Sequence, residues 1–243
     1  MTLTKGIPVA SYNMHKAVGL DRRRDPARIA AVIAEIGADI LALQEADMRF
    51  GDRAGLLDLA ALQRDLGLAP VPQATTGRAH GFHGNLLLVR NALVQEAHRI
   101  TLPGLEPRGA MITDLMVAGQ PLRVVSAHLG LLAASRRLQV HALLTKLKAL
   151  DPRPTLLMGD LNEWRSGPGS SIGSLMEHLP NAPALRSFPT RYPLLTLDRM
   201  MASGTAMLVD AKVHDTALSR RASDHLPIKA WLHLPPTAGG PTR

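Results

Sequence analysis

Short apolar runs that stop on a carboxylate, an amide or a histidine recur along this chain, and they constrain its fold more than any other feature. "TLLMGDLNEW" (155–164) carries apolar residues straight into Gly-Asp-Leu-Asn, with Asp160 and Asn162 two positions apart. "IPVASY" (7–12) runs into Asn13, "DILALQE" ends at Glu45, and "PLRVVSAH" (121–128) ends at His128. "LLTLDRMMAS" carries Asp198, and "LPIKAWLHL" is entered through Asp224 and His225. Apolar runs of this length, bounded by turn residues, read as buried strands. Side chains at i and i+2 of an extended segment project to the same side, so Asp160 and Asn162 would look into one cavity. Gly, Asp and Asn suit a capped turn equally well, and this stretch alone leaves the two readings open.

Helices alternate with these runs. In "DPARIAAVIAEIGAD", Asp25 is an N-cap, Pro26 takes the first helical position and Gly37 follows the last turn. Ile29, Val32, Ile33 and Ile36 fall on one helical face. A second helix is expected over 54–66 and a third over 134–150, "ASRRLQVHALLTKLKAL". "NLLLVR" (85–90) and "AMLVDAKVH" read as further strands, the stretch 165–194 as irregular, and "PPTAGGPTR" (235–243) as a disordered tail by composition. No repeat or composition break divides the chain, so the expectation is one mixed α/β domain over 1–234.

With 243 residues, 46% of them hydrophobic, the chain can bury a substantial core. A net charge of +8 favours polyanionic partners such as nucleic acid, anionic headgroups or phosphorylated small molecules. Only 3% of residues are aromatic, which argues against an extended base-stacking platform. The absence of cysteine excludes disulfides and thiolate zinc sites. The N-terminus lacks the apolar run of a signal peptide and no stretch is long enough to span a bilayer, so a cytoplasmic protein is the expectation.

Oxygen donors from Asn, Glu and Asp suit a hard cation, Mg²⁺ or Mn²⁺. Histidines beside them suit proton transfer or contact with a phosphoryl oxygen. The inventory fits metal-assisted hydrolysis of a phosphate ester.

The series "SYN", "LALQEAD", "GNLLLVR", "VVSAHLGL", "MGDLNEW", "LDRMMAS" and "SDHLPI" resembles, in order and over residues 8–233, the endonuclease/exonuclease/phosphatase superfamily. That group includes DNase I, abasic-site endonucleases, neutral sphingomyelinases and inositol polyphosphate phosphatases. "YNMHKAVG", "EPRGA", "HLGL" and "GDLNEW" are most similar to a compact bacterial subgroup described only as metal-dependent hydrolases. The resemblance implies a DNase I-like, four-layered α/β-sandwich, two β-sheets packed face to face with helices outside.

It also implies roles. Glu45 would bind a divalent cation, Mg²⁺ or Mn²⁺, with Asn13 beside it and Asp224 nearby; the plain structural alternative for Glu45 is a salt bridge to a nearby arginine. Asp160 would orient or deprotonate the attacking water and Asn162 would hold water or a phosphoryl oxygen. His225, its ring held by Asp198, would contact the phosphate or accept a proton, and His128 would stabilise the pentacoordinate phosphorus. Which of Asp160 and the Asp198–His225 pair is the base stays open. Asn85 and Arg108 are candidate substrate-binding residues. Arg136, Arg137 and Gln139 open the helix after the His128 loop and read as a solvated face. His80 and His83 have the spacing of a zinc pair but no further ligand in register.

The chain departs from the family at His15, where some members carry an acidic residue, which leaves a second metal position in doubt. It lacks the long insertions that grip duplex DNA or a bilayer in larger relatives, and no obvious hydrophobic docking hairpin replaces them. The expected activity is a metal-dependent phosphodiesterase acting on nucleic acid or a phospholipid headgroup. A phosphomonoesterase acting on a small molecule and a silent polyanion-binding module are the alternatives.

Overall fold

The computed structural model describes residues 6–48, 50–72, 77–167, 169–203 and 205–234; the expected tail at 235–243 lies outside them. Among the described residues, eleven strands form two sheets. In chain order they are β1 (Ile7–Asn13), β2 (Ile40–Gln44), β3 (Ala69–Pro70), β4 (Leu86–Val89), β5 (Ala92–Leu102), β6 (Arg108–Val117), β7 (Gln120–His128), β8 (Thr155–Asp160), β9 (Asp198–Ala202), β10 (Met207–Val213) and β11 (Ile228–His233). One sheet has the order β10-β11-β1-β2-β4-β3 and the other β5-β6-β7-β8-β9. Only β1–β2 and β7–β8 pair in parallel among the named strands.

The helices are α1 (Pro26–Ile36), α2 (Leu59–Leu66), α3 (Ala133–Lys148), α4 (Gly173–His178) and α5 (Ser219–Ala222). Asp25 caps α1 by accepting from the Arg28 amide, and Gly37 closes it at φ 66°, as its residue types dictate. Asp58 caps α2 in the same way through the Ala61 amide.

Side-chain alternation builds the layers. On β2, Ile40 and Ala42 face the opposite sheet, while Leu41 and Leu43 face α1 and its Ile29, Val32, Ile33 and Ile36. On β8, Leu156 and Met158 face the first sheet, while Leu157 packs with Leu143 and Leu144 of α3. The result is the implied sandwich: helices, sheet, sheet, helices. Following the same alternation outward, Asn13 shares the face of Val9, His128 that of Val124, Asp160 that of Met158, and Asp198 that of Met200. The apolar layer between the sheets therefore ends in polar side chains.

Gly159 has φ 154°, and a Cβ there would lie 1.8 Å from the Ala127 carbonyl oxygen of β7. Only glycine lets β8 approach its parallel neighbour this closely beside Asp160.

Two long strands go unmarked in the sequence reading. β5 is an edge strand of mixed exposure, and β6 is interrupted in pattern by Thr113 and Asp114. The stretch read as irregular holds α4, and the strand expected from 194 begins at Asp198.

Candidate active site

Asp160 ends β8 with one oxygen bound and the other facing three neighbours. Its Oδ1 accepts from the Asn162 amide at 3.0 Å, and its Oδ2 accepts from Asn13 Nδ2 at 2.9 Å. The same Oδ2 lies 3.5 Å from His128 Nε2 and 3.8 Å from His225 Nε2. His225 in turn places Nδ1 2.9 Å from Asp198 Oδ2, an oxygen that also accepts from the Ser187 hydroxyl. The Phe188 ring packs on the imidazole with centroids 4.6 Å apart. Asn13 is held by the Ser223 hydroxyl on its carbonyl at 2.8 Å and by the His15 amide on its Oδ1 at 3.1 Å. Asp198, Asp160, His128, Asn13 and His225 are all buried.

The two imidazoles carry different charge. Burial works against a cation at His225, but Asp198, by attraction and by its hydrogen bond, with Asp160 and Asp224 beyond, outweighs it and pushes the pKa up to about 10. His128 is pushed down to about 3 by burial; Asp160 opposes the shift, while Arg108 adds to it. His128 is therefore neutral, and Arg108 Nη1 lies 3.0 Å from its Nε2.

Beside this cluster opens a pocket lined by Lys16, Glu45, Arg53, Glu106, Arg108 and His128, among others. Glu45 follows β2 at φ 56°. Opposite it, His15, Lys16 and Ala17 form a left-handed turn with φ of 44°, 53° and 59°. Three consecutive non-glycine residues in that region cost backbone energy, which marks the turn as held by its surroundings. The turn sets the Lys16 ammonium against the Glu45 carboxylate. Glu45 does form an ion pair, then, though with a lysine.

The donor set fits a hard divalent cation. Glu45 presents a carboxylate to the pocket, Asn13 Oδ1 accepts from the His15 amide next to Lys16, and Asp224, 3.6 Å from His15 Nδ1, is half-exposed. Asp160, Asp198 and His225 also bring ligand atoms within 4.8 Å of one another. His225 is cationic there, and a cationic imidazole is no metal ligand, whereas the Glu45 carboxylate opens onto the pocket. Glu45 is the better anchor on those grounds.

Other expectations fare differently. Asn162 adopts φ 51° and donates its side-chain amide to the Leu129 carbonyl at 3.0 Å, so β8 does not continue and the shared-face geometry gives way to the turn. Asn85 donates to the Gly109 and Phe82 carbonyls, tying β4 to β6, and its buried Oδ1 has no partner. Arg136 and Gln139 are buried: Arg136 donates to Ser171, Glu163 and the Gly130 and Leu131 carbonyls, and Gln139 accepts from the Gly130 amide. Only Arg137 of that set is exposed. His83 lines the pocket, while the His80 amide donates to Asp47; neither belongs to the three-residue metal-type cluster found among the described residues. The sequence reading misses Lys16, Ser187 and Glu106. Lys16 and Glu106 stand inside the quoted "YNMHKAVG" and "EPRGA", but nothing local marks either as a site residue.

The sequence profile of the Endonuclease/Exonuclease/phosphatase family matches residues 10–225. The uncharacterized protein YbhP of Escherichia coli (strain K12) is 31% identical over 168 residues, which span 63% of this chain and 64% of that protein. Among solved structures, the endonuclease/exonuclease/phosphatase from Beutenbergia cavernae DSM 12333 superposes with a TM-score of 0.73 at 22% identity, covering 96% of this chain and 72% of that one. The mannosyl-6-phosphatase Bt3783 of Bacteroides thetaiotaomicron VPI-5482 gives a TM-score of 0.72 at 16% identity, covering 94% and 100%. At such identities the structural likenesses speak for the fold. With a family profile spanning most of its length, the chain belongs to the endonuclease/exonuclease/phosphatase family, whose members are hydrolases acting on phosphoesters.

Proposed function

We propose that this protein hydrolyses phosphodiester bonds with a divalent cation, Mg²⁺ or Mn²⁺, held by Glu45 with help from Asn13 and Asp224. The observation that carries the reading is the convergence of Asn13, His128 and His225 on one oxygen of Asp160. A carboxylate so surrounded is aimed, and it can take the proton of an attacking water. Asn13 and the Asn162 amide hold it in place. His225, charged and anchored by Asp198, supplies a donor to a phosphoryl oxygen; a ring already protonated favours Asp160 as the base. Neutral His128, backed by Arg108, offers a second polar contact to the same group. When bound, the cation supplies charge neutralisation at the phosphoryl oxygens and leaving group.

Lys16, Arg53 and Arg108 around the pocket favour a second reading, a phosphomonoesterase, because a terminal phosphate carries more charge to neutralise. Turnover of bis-p-nitrophenyl phosphate and p-nitrophenyl phosphate, each with Mg²⁺, Mn²⁺ or EDTA, separates the two. Metal-dependent diester turnover, lost in Asp160→Asn and His225→Ala, is expected. Preference for the monoester would replace the first reading with the second, and turnover indifferent to EDTA would remove the cation from both.

A further inference from the structure

Six large apolar side chains stand 50–84% exposed on loops around the candidate site: Leu105, Leu131, Leu132, Trp164, Tyr192 and Leu194. Scattered apolar residues are ordinary on a surface, but these loops touch one another and the site. The Glu106 carboxylate accepts from the Leu131 amide at 2.8 Å, joining the 105 and 131 loops. Arg136 bonds Glu163, joining the start of α3 to the Trp164 loop, and Thr196 donates to the Trp164 carbonyl. The loop of Tyr192 and Leu194 packs Phe188 on His225 and donates from the Thr190 amide to the Asp224 carbonyl at 2.8 Å.

The charge on this face is one-sided. Segments 103–107, 129–138, 163–167 and 186–197 contain only two carboxylates, Glu106 and Glu163. Glu106 is bound by the Leu131 amide, and Glu163 is buried on Ser171 and Arg136. Arg137, Arg165, Arg186 and Arg191 on the same segments are exposed, and Arg165 lies over the Trp164 ring at 5.3 Å.

We propose that this face docks onto an anionic lipid bilayer. Leucines sink their side chains into the acyl boundary, Trp and Tyr sit at headgroup level, and arginines meet lipid phosphates. Single-stranded nucleic acid would use the arginines and the two aromatics, but leucine has no π-face for a base to stack on, and leucines are the majority. Docked this way the face would present a headgroup phosphate ester to Asp160 and His225, a corollary that rests on the hydrolytic reading. The docking itself does not. The expected surface is discontinuous in sequence, so no single hydrophobic hairpin announces it.

Flotation of the full chain carrying Asp160→Asn, which removes turnover as a variable, tests the docking. Vesicles of phosphatidylcholine with one third phosphatidylglycerol should bind it, and pure phosphatidylcholine at least tenfold less. Tyr192→Ser with Leu194→Ser, or Leu105→Asp with Leu132→Asp, should each lower binding about tenfold with an unchanged circular dichroism spectrum. In the background with Asp160 restored, the same pairs should keep bis-p-nitrophenyl phosphate turnover, so a failed docking and a failed hydrolytic reading are told apart. No binding to the anionic vesicles, or binding indifferent to both pairs, overturns the proposal. Binding of a single-stranded oligonucleotide in place of vesicles, lost in the same variants, would reassign the face to nucleic acid.

Discussion

His128 and His225 both reach toward Oδ2 of Asp160, yet one ring is neutral and the other charged. Burial works against the cation at both rings; at His225 the Asp198 carboxylate outweighs it, whereas at His128 it prevails and Arg108 adds to it. Asp198→Asn keeps the size and most hydrogen bonds but removes the charge that holds the imidazolium. Turnover should fall about 10²- to 10⁴-fold, and the His225 ring should titrate at lower pH by NMR. A variant that keeps turnover within tenfold would separate the pair from catalysis. Lys16 invites a second test, because an incoming cation has to displace its ammonium from Glu45. Lys16→Met should tighten Mn²⁺ binding by calorimetry about three- to tenfold, in keeping with the modest worth of a partly exposed ion pair. Unchanged affinity would mean that the lysine does not compete. Residues such as Asn13, Glu45, His128 and Asp160 are legible in sequence because each interrupts an apolar run. Lys16 is not, because its partner lies 29 residues away and nothing local distinguishes it from a solvated lysine.

The strand ends depend on close element-to-element contacts. Gly159→Ala would drive a methyl into the Ala127 carbonyl and displace β8 from β7. A loss of about 3 kcal/mol in chemical denaturation is expected, with activity falling alongside as Asp160 shifts; a variant as stable as the parent would mean the strands part freely. The start of α3 is anchored through Arg136 to Glu163. Burial pushes the Glu163 carboxyl up, but the Ser171 hydroxyl, the Arg165 and Ser171 amides and Arg136 outweigh it, holding the group down at about 2 against an ordinary 4.5. A carboxylate depressed on folding contributes stability in full above its unfolded value, and loses it as pH falls toward the folded one. Roughly 3 kcal/mol should therefore disappear between about pH 5 and pH 2, and Glu163→Gln should flatten that limb of a urea-midpoint profile. An equally steep acid limb in the variant would place the loss elsewhere. This anchor is what a sequence reading hides: an Arg early on a helix looks solvated until a loop 27 residues on covers it. β5 and β6 escape for a related reason, since the neighbours that make them strands are each other and β7.

At the scale of the molecule, the sandwich came from the family resemblance, while the apolar runs of β1, β2, β8 and β9 marked only that these strands are buried on both faces. What such runs leave out is which strands of different sheets meet. Val9, Ala42 and Leu87 of one sheet share a single core with Met111, Val124, Met158 and Met200 of the other. Each sheet also has its own outer core, under α1 and α2 on one side and under α3 and α4 on the other. Two outer cores would allow two units to unfold separately; the shared layer opposes it, since parting the sheets would expose all of its apolar surface at once. Hydrogen exchange can weigh these tendencies. Amides of Leu41–Leu43 in β2 and of Val124–Val125 in β7 should open with one free energy, the global one. Met158→Ala, which hollows the shared layer, should lower both by the same 2–5 kcal/mol or so. If β2 kept its protection while β7 lost it, the sheets would be independent units, and the polar floor they jointly close would be assembled by docking instead of by folding.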